Sequence, residues 1–164
     1  MNNALQVALR LLARREYAAR ELTQKLLARG LARQSVEEAL AYCQTQGFQS
    51  DDRYVEQLCS ARVSQGYGPL KIEQALKQVG IDNAAMTDYF FKAPVDWSLL
   101  AHDVLKRNAW RFVLSPPSSD DKTAMTHQTD KRDIKKQHRF LMSRGFSFDV
   151  IQVVLREMKT DENG

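Results

Sequence analysis

QKLLARGLARQSVEEALAYC at 24–43, EQALKQVGIDNAAMTDYFFK at 73–92 and HRFLMSRGFSFDVIQVVLRE at 138–157 align on their glycines, Gly30, Gly80 and Gly145. Four residues before each glycine stands a leucine: Leu26, Leu76, Leu141. Directly after it comes a large apolar residue: Leu31, Ile81, Phe146. Val36, Met86 and Ile151 follow at six residues, and Leu40, Phe90 and Leu155 at ten. This spacing describes a helix that stops at a glycine in the left-handed conformation, where a Cβ would be penalised. The apolar residue after the glycine folds back onto the last turn, and a second helix starts at once. Asp82 and Ser147 are suited to cap that second helix, since a short side-chain oxygen can accept from a free N–H of its first turn. Ala32 holds the same place in the first copy, so its cap must be weaker or shifted.

Outward from these glycines the chain repeats as a unit. One more helix is expected ahead of each pair, at about 3–15, 51–66 and 96–109. Asp51 and Asp52 open the middle one and Asp96 the last. Gly68 and Pro69 start a helix in GYGPLKIEQAL, where the missing proline N–H costs nothing. Three three-helix units result, 1–49, 50–94 and 95–164. The third is longer through SPPSSDDKTAMTHQTD, a Pro/Ser/Thr/Asp-rich insertion at 115–130 that reads as a mobile loop. WRFVLS at 110–115 fits either a helix continuation or a short extended piece, ended by Pro116 and Pro117. The fold class is therefore all-α. Because each unit has a thin core, the three should stack into an elongated, curved array, monomeric and suited to a large repetitive partner.

Catalytic and metal chemistry find no foothold. His102, His127 and His138 are far apart, and no CxxC, HExxH, EF-hand or phosphate-loop spacing occurs. His138 falls on the apolar register of its helix and reads as a helix-face histidine with a local partner. Neither catalytic residues nor a cofactor is expected. Cys43 and Cys59 lie within helical patterns as small reduced core residues. No apolar run approaches a membrane span, and the N-terminus lacks the layout of a secretory signal, so a cytoplasmic protein is expected.

Charge is unevenly distributed. Residues 1–34 carry seven Arg/Lys against two acids, 35–97 carry five against nine, and 131–144 carry six against one. Two basic segments flank an acidic middle, an arrangement suited to a polyanion or an acidic protein face. A charged run can also serve solubility alone. Arg10 with Arg14, and Lys25 with Arg29 and Arg33, recur at four-residue steps. Arg132, Lys135, Lys136 and Arg139 cluster on one side of the eighth helix.

Read together, these motifs resemble the RecX family, the regulatory proteins of the RecA recombinase. The middle unit carries Asp51, Asp52, Arg53, Tyr54, Arg62, Gly66, Gly68, Pro69 and the closing Gln78-Val79-Gly80-Ile81. The third carries Lys136, Arg139, Phe140, Leu141, Arg144, Gly145 and Phe146, and the first Glu21, Leu22, Lys25 and Leu26. Two departures stand out: Ala18 replaces a serine that would cap a helix, and KRNAWRFVL at 106–114 replaces a basic/aromatic-glycine step. The resemblance implies three tandem three-helix repeats and a modulator of RecA, an inhibitor above all, that binds in the groove of the RecA–DNA filament. Single- or double-stranded DNA is a further implied partner, and a helical-repeat protein acting directly on DNA is the alternative. Arg144, from the third motif, joins the basic residues above as a candidate contact.

Overall fold

The structure, a computed structural model, describes residues 3–112 and 125–161, and only the backbone of 125–132 and of 161. Among these residues there are nine α-helices and no strand. They are α1 (Asn3–Leu12), α2 (Ala19–Leu27), α3 (Arg33–Thr45), α4 (Asp51–Ser64), α5 (Pro69–Gln78), α6 (Asn83–Lys92), α7 (Trp97–Arg107), α8 (Met125–Ser143) and α9 (Phe148–Asp161). The chain divides into two compact units, residues 1–61 with 73–93, and 62–72 with 94–164. Helices α4 and α5 each contribute to both.

The repeated glycines have the expected backbone. Gly30, Gly80 and Gly145 have φ of 77°, 77° and 88°. At the latter two, the next N–H reaches back to the leucine carbonyl, Ile81 to Leu76 at 3.0 Å and Phe146 to Leu141 at 3.2 Å. Orphan carbonyls at the helix end are thereby satisfied. Two further turns of this kind escaped the sequence reading. Gly47 and Gly66 also have positive φ, and Phe48 and Tyr67 donate to the Cys43 and Arg62 carbonyls at 2.7 and 2.9 Å. Their shared Gln-Gly-aromatic sequence was the available signal.

In the first unit, Ala8, Leu11, Tyr17, Leu22, Leu26, Val36 and Cys43 form the core of α1 to α3. Helix α1 ends at Leu12, three residues short of expectation. No side chain of Ala18 or Ala32 caps α2 or α3. For α2 the cap arrives from elsewhere in the unit: Asp51 Oδ1 accepts the Ala19 N–H at 2.8 Å. Asp51 is released for this role because Ser50 Oγ accepts the Arg53 N–H at 3.3 Å in the first turn of α4. Gln49, the one buried polar residue among those described, donates to Asp51 Oδ1 at 2.9 Å and to the Tyr17 carbonyl at 3.1 Å. Arg53 completes this clamp through the Gly47 carbonyl and Glu16, both at 2.8 Å.

Asp51→Ala should therefore destabilise the protein by about 1–2 kcal/mol, through the lost cap and a buried Gln49 left short of a partner. Urea unfolding followed by circular dichroism measures this; an unchanged midpoint would show that the clamp is incidental. Cys43 and Cys59 are buried free thiols. Burial pushes Cys59 up to about 11 and also raises Cys43, so both stay protonated and unreactive at neutral pH.

In the second unit, α7, α8 and α9 enclose Ala101, Val104, Leu105, Phe112, Leu141, Phe146, Ile151, Val154 and Leu155. Asp96 caps α7, accepting from the Leu99 N–H at 3.0 Å. After α7, residues Ala109–Arg111 form one 3-10 turn, a tighter helical form, and 113–115 of the segment expected to be helical or extended lie outside the described residues. It turns Phe112 inward onto Phe140, ring centroids 5.5 Å apart. Pro116 and Pro117 lie outside the described residues. Of the expected loop at 115–130, residues 125–130 are helical, and the rest lies outside the described residues. Proline and glycine are absent from 125–144, so nothing in that stretch interrupts the α8 ladder.

Candidate interaction faces

The basic residues of the first segment are exposed but do not share one helix face. Arg10 lies on α1, while Arg14 lies beyond its end, with its N–H on the Leu11 carbonyl. Lys25 lies on α2, Arg29 in the turn that follows and Arg33 at the start of α3. A four-residue step aligns side chains only on a continuous helix, and the left-handed Gly30 interrupts this one. Two other arginines are already engaged with acids: Arg15 with Glu21 at 2.6 Å and Arg53 with Glu16 at 2.8 Å. The hydrogen bond to Glu21 raises the Arg15 pKa against the opposing effect of partial burial. Arg33 approaches Glu37 at 3.9 Å, an exposed pair of little energetic weight.

Arg144 differs from every other candidate. Its Nη1 donates to the Gln65 carbonyl at 2.9 Å. Its guanidinium lies 4.9 Å from the Tyr67 ring centroid and 5.3 Å from that of Phe140. The backbones meet at the same place. Gly68 N–H donates to the Arg144 carbonyl at 2.8 Å, and Leu70 N–H to the Gly145 carbonyl at 3.0 Å. The C-terminal carbonyls of α8 thus satisfy the free N–H groups at the start of α5, with partial charges of opposite sign facing each other. The Gly-x-Gly-Pro and Arg-Gly-Phe motifs, far apart in sequence, are two halves of one internal contact.

A basic groove lies between α8 and α9. Lys135 and Arg139 line it from α8, and Arg156 and Lys159 from α9, around a volume of about 340 Å³. Ile134 and Leu155 supply apolar wall, and His138 and Gln152 further polar groups. No carboxylate is among the lining residues. His138 meets the Phe148 ring edge-on at 5.9 Å, the local contact expected of it. Four like charges around one concavity concentrate positive charge there, where an even spread of the chain's net +4 would not. Lys135 and Arg139 keep their four-residue step because α8 is unbroken there. Lys136 is exposed but is not among the lining residues, and the Arg132 side chain lies outside the described residues. Arg156 and Lys159 escaped the sequence reading. Each stands nearly alone among apolar and acidic neighbours on α9, so only helix packing reveals them. Among the described residues no group of three or more His, Cys, Asp or Glu could hold a metal ion, and no helix is long and apolar enough to cross a membrane.

Comparison with known proteins places these elements. Three family models match: RecX, first three-helix domain, over 4–43; the second over 50–88; and the third over 122–155. The Regulatory protein RecX of Legionella pneumophila (strain Corby) is 40% identical over 160 residues, covering 98% of this chain and 97% of that one. The one from Acidithiobacillus ferrooxidans (strain ATCC 53993 / BNL-5-31) is 40% identical over 149 residues, covering 91% and 86%. Among solved structures, RecX from Lactobacillus salivarius gives a TM-score of 0.73 at 19% identity, covering 96% of this chain and 95% of that one. At that identity the likeness shows the fold alone.

Proposed function

Because this chain belongs to the RecX family of regulatory proteins, we propose that it modulates the RecA recombinase as an inhibitor, lodging in the groove of the RecA–DNA filament. The observation that carries this reading is the α8–α9 groove, with four cations and no carboxylate lining it. A filament offers an acidic surface and phosphates at a regular spacing. A monomer holding a concentrated positive face can engage either without a catalytic step. Arg10, Arg14, Lys25, Arg29 and Arg33 act as a second, more diffuse contact, which long-range attraction makes useful in steering rather than in register. Arg144 has a different part, since its guanidinium is engaged within the second unit by the Gln65 carbonyl and the Tyr67 and Phe140 rings.

The test adds the purified protein to RecA filaments assembled on single-stranded DNA and follows coupled ATP hydrolysis. Inhibition that weakens as salt rises is the expected result, because exposed charge contacts are screened over about 8 Å at physiological ionic strength. No effect on RecA, combined with a gel shift of bare DNA, would replace this reading with direct action on DNA.

A further inference from the structure

The stack around Arg144 continues in both directions within the second unit. Arg62 lies 5.3 Å from the Tyr67 ring on one side. On the other side Arg111 lies 5.7 Å from the Phe140 ring and 5.1 Å from that of Trp110. Arg62, Tyr67, Arg144, Phe140, Arg111 and Trp110 therefore form one alternating row of guanidinium groups and aromatic rings. The inner members have a structural role, as described above. The last does not fit that account: Trp110 is 69% exposed, with a cation against it. The stretch of chain that carries it is basic: residues 104–112 include Lys106, Arg107 and Arg111, and the nearest acid before them is Asp103.

We infer that Trp110 and Arg111 form a stacking site for an unpaired base of single-stranded nucleic acid. This goes beyond the RecA reading and uses a different surface from the α8–α9 groove. The chemistry selects the occupant. The face of an indole ring is electron-rich, so it repels a carboxylate and disfavours an acidic peptide. A cationic partner would meet Lys106, Arg107 and Arg111. A nucleotide satisfies both constraints, since its base is a flat π-system and its phosphate an anion. Duplex bases are already stacked and cannot present a face, so the site discriminates single strands from duplex. The groove, working by charge, has no such means.

The chain has two tryptophans, and the other, Trp97, packs partly buried against the second unit's core. Emission from Trp110 can therefore be isolated in a Trp97→Phe variant, or as the difference between wild type and Trp110→Phe if that variant is unstable. Titration without RecA would use dT20, rU20, a 20-base-pair duplex and polyglutamate. The expected result is quenching of Trp110 by both single strands and by neither of the other two. The dT20 and rU20 arms tell DNA from RNA as the better source of the same base contact. Trp110→Ala should weaken single-strand binding about tenfold, with Trp110→Phe recovering most of it and the circular dichroism unchanged. Equal affinity of wild type and Trp110→Ala for dT20, or binding of dT20 without quenching, would overturn the inference. Because RecA is absent, either outcome leaves the groove reading untouched.

Discussion

Gly68→Ala should lower stability by about 3 kcal/mol or more, the largest single-residue effect expected in this protein. A Cβ at Gly68 would collide with the Gly145 carbonyl oxygen and lie 2.5 Å from both its carbon and the Phe146 nitrogen. All three are backbone atoms of the opposing turn, and they cannot rotate away as a side chain can. Relief requires parting the two turns, which breaks the hydrogen bonds from Gly68 and Leu70 and unseats Arg144 from Tyr67. The other turn glycines predict a graded series. A Cβ at Gly30 meets nothing within 4 Å, so its alanine variant carries only the left-handed penalty, about 1 kcal/mol. At Gly80 the same penalty is joined by contact with Arg20 Cδ at 2.6 Å, part of a long side chain that can move. Gly145→Ala combines positive φ with the Lys71 backbone nitrogen at 2.5 Å and should approach Gly68→Ala. Both tryptophans lie in the second unit, so fluorescence in a urea titration follows Gly68→Ala and Gly145→Ala, while circular dichroism, which sees helices of both units, gives the midpoints compared with Gly30→Ala and Gly80→Ala. A Gly68→Ala midpoint no lower than that of Gly30→Ala would show that the close approach does not carry stability.

Reversing three charges in the α8–α9 groove should weaken filament inhibition by about ten- to a hundredfold. The variant is Lys135→Glu, Arg139→Glu and Arg156→Glu together. Each exposed charge pair contributes roughly 0.2–1 kcal/mol, and a reversal replaces attraction with repulsion, so three acting in one concavity reach that range. The fold should survive, because all three residues are exposed and none has an ion-pair partner among the described residues. Lys136→Glu is the informative control. It changes a neighbouring charge on the same helix but not one that lines the groove, so it should cost much less. Coupled ATP hydrolysis by RecA, at two salt concentrations, reads the difference. A folded triple variant that inhibits as strongly as the wild type removes the groove from the mechanism. Equal losses in the triple and in Lys136→Glu would point instead to the net charge of α8.

The helices and their stops at Gly30, Gly80 and Gly145 were legible in the sequence because their causes are local, whereas the end of α1, the turns at Gly47 and Gly66 and the start of α8 were not. A leucine, a glycine four residues on and an apolar residue directly after it encode a helix, its stop and the fold-back contact within six residues. Asp82 and Asp96 sit next to the N–H groups they cap, at Ala84 and Leu99. The basic character of 131–144 was equally plain, since charge is a property of residues and not of their arrangement. Even so, the motifs that made the family resemblance turned out to be internal joints, Asp51 and Arg53 in one unit and Gly68 with Arg144 and Gly145 in the other.

What the tertiary structure alone decided are the pairings between residues distant in the chain. Asp51 caps a helix that starts thirty-two residues earlier, and Arg144 donates to a carbonyl seventy-nine residues away. Packing of α8 against α9 through Leu141, Ile151 and Leu155 brings Arg156 and Lys159 to Lys135 and Arg139. Nothing in the α9 sequence announces that meeting, because a charge on a helix face acquires a neighbour only when another helix is laid beside it. The same holds for Trp110. Its exposure and its place at the end of a row of rings and guanidinium groups depend on where Phe140 and Arg144 come to rest, and those positions are set by burial of the apolar face of α8.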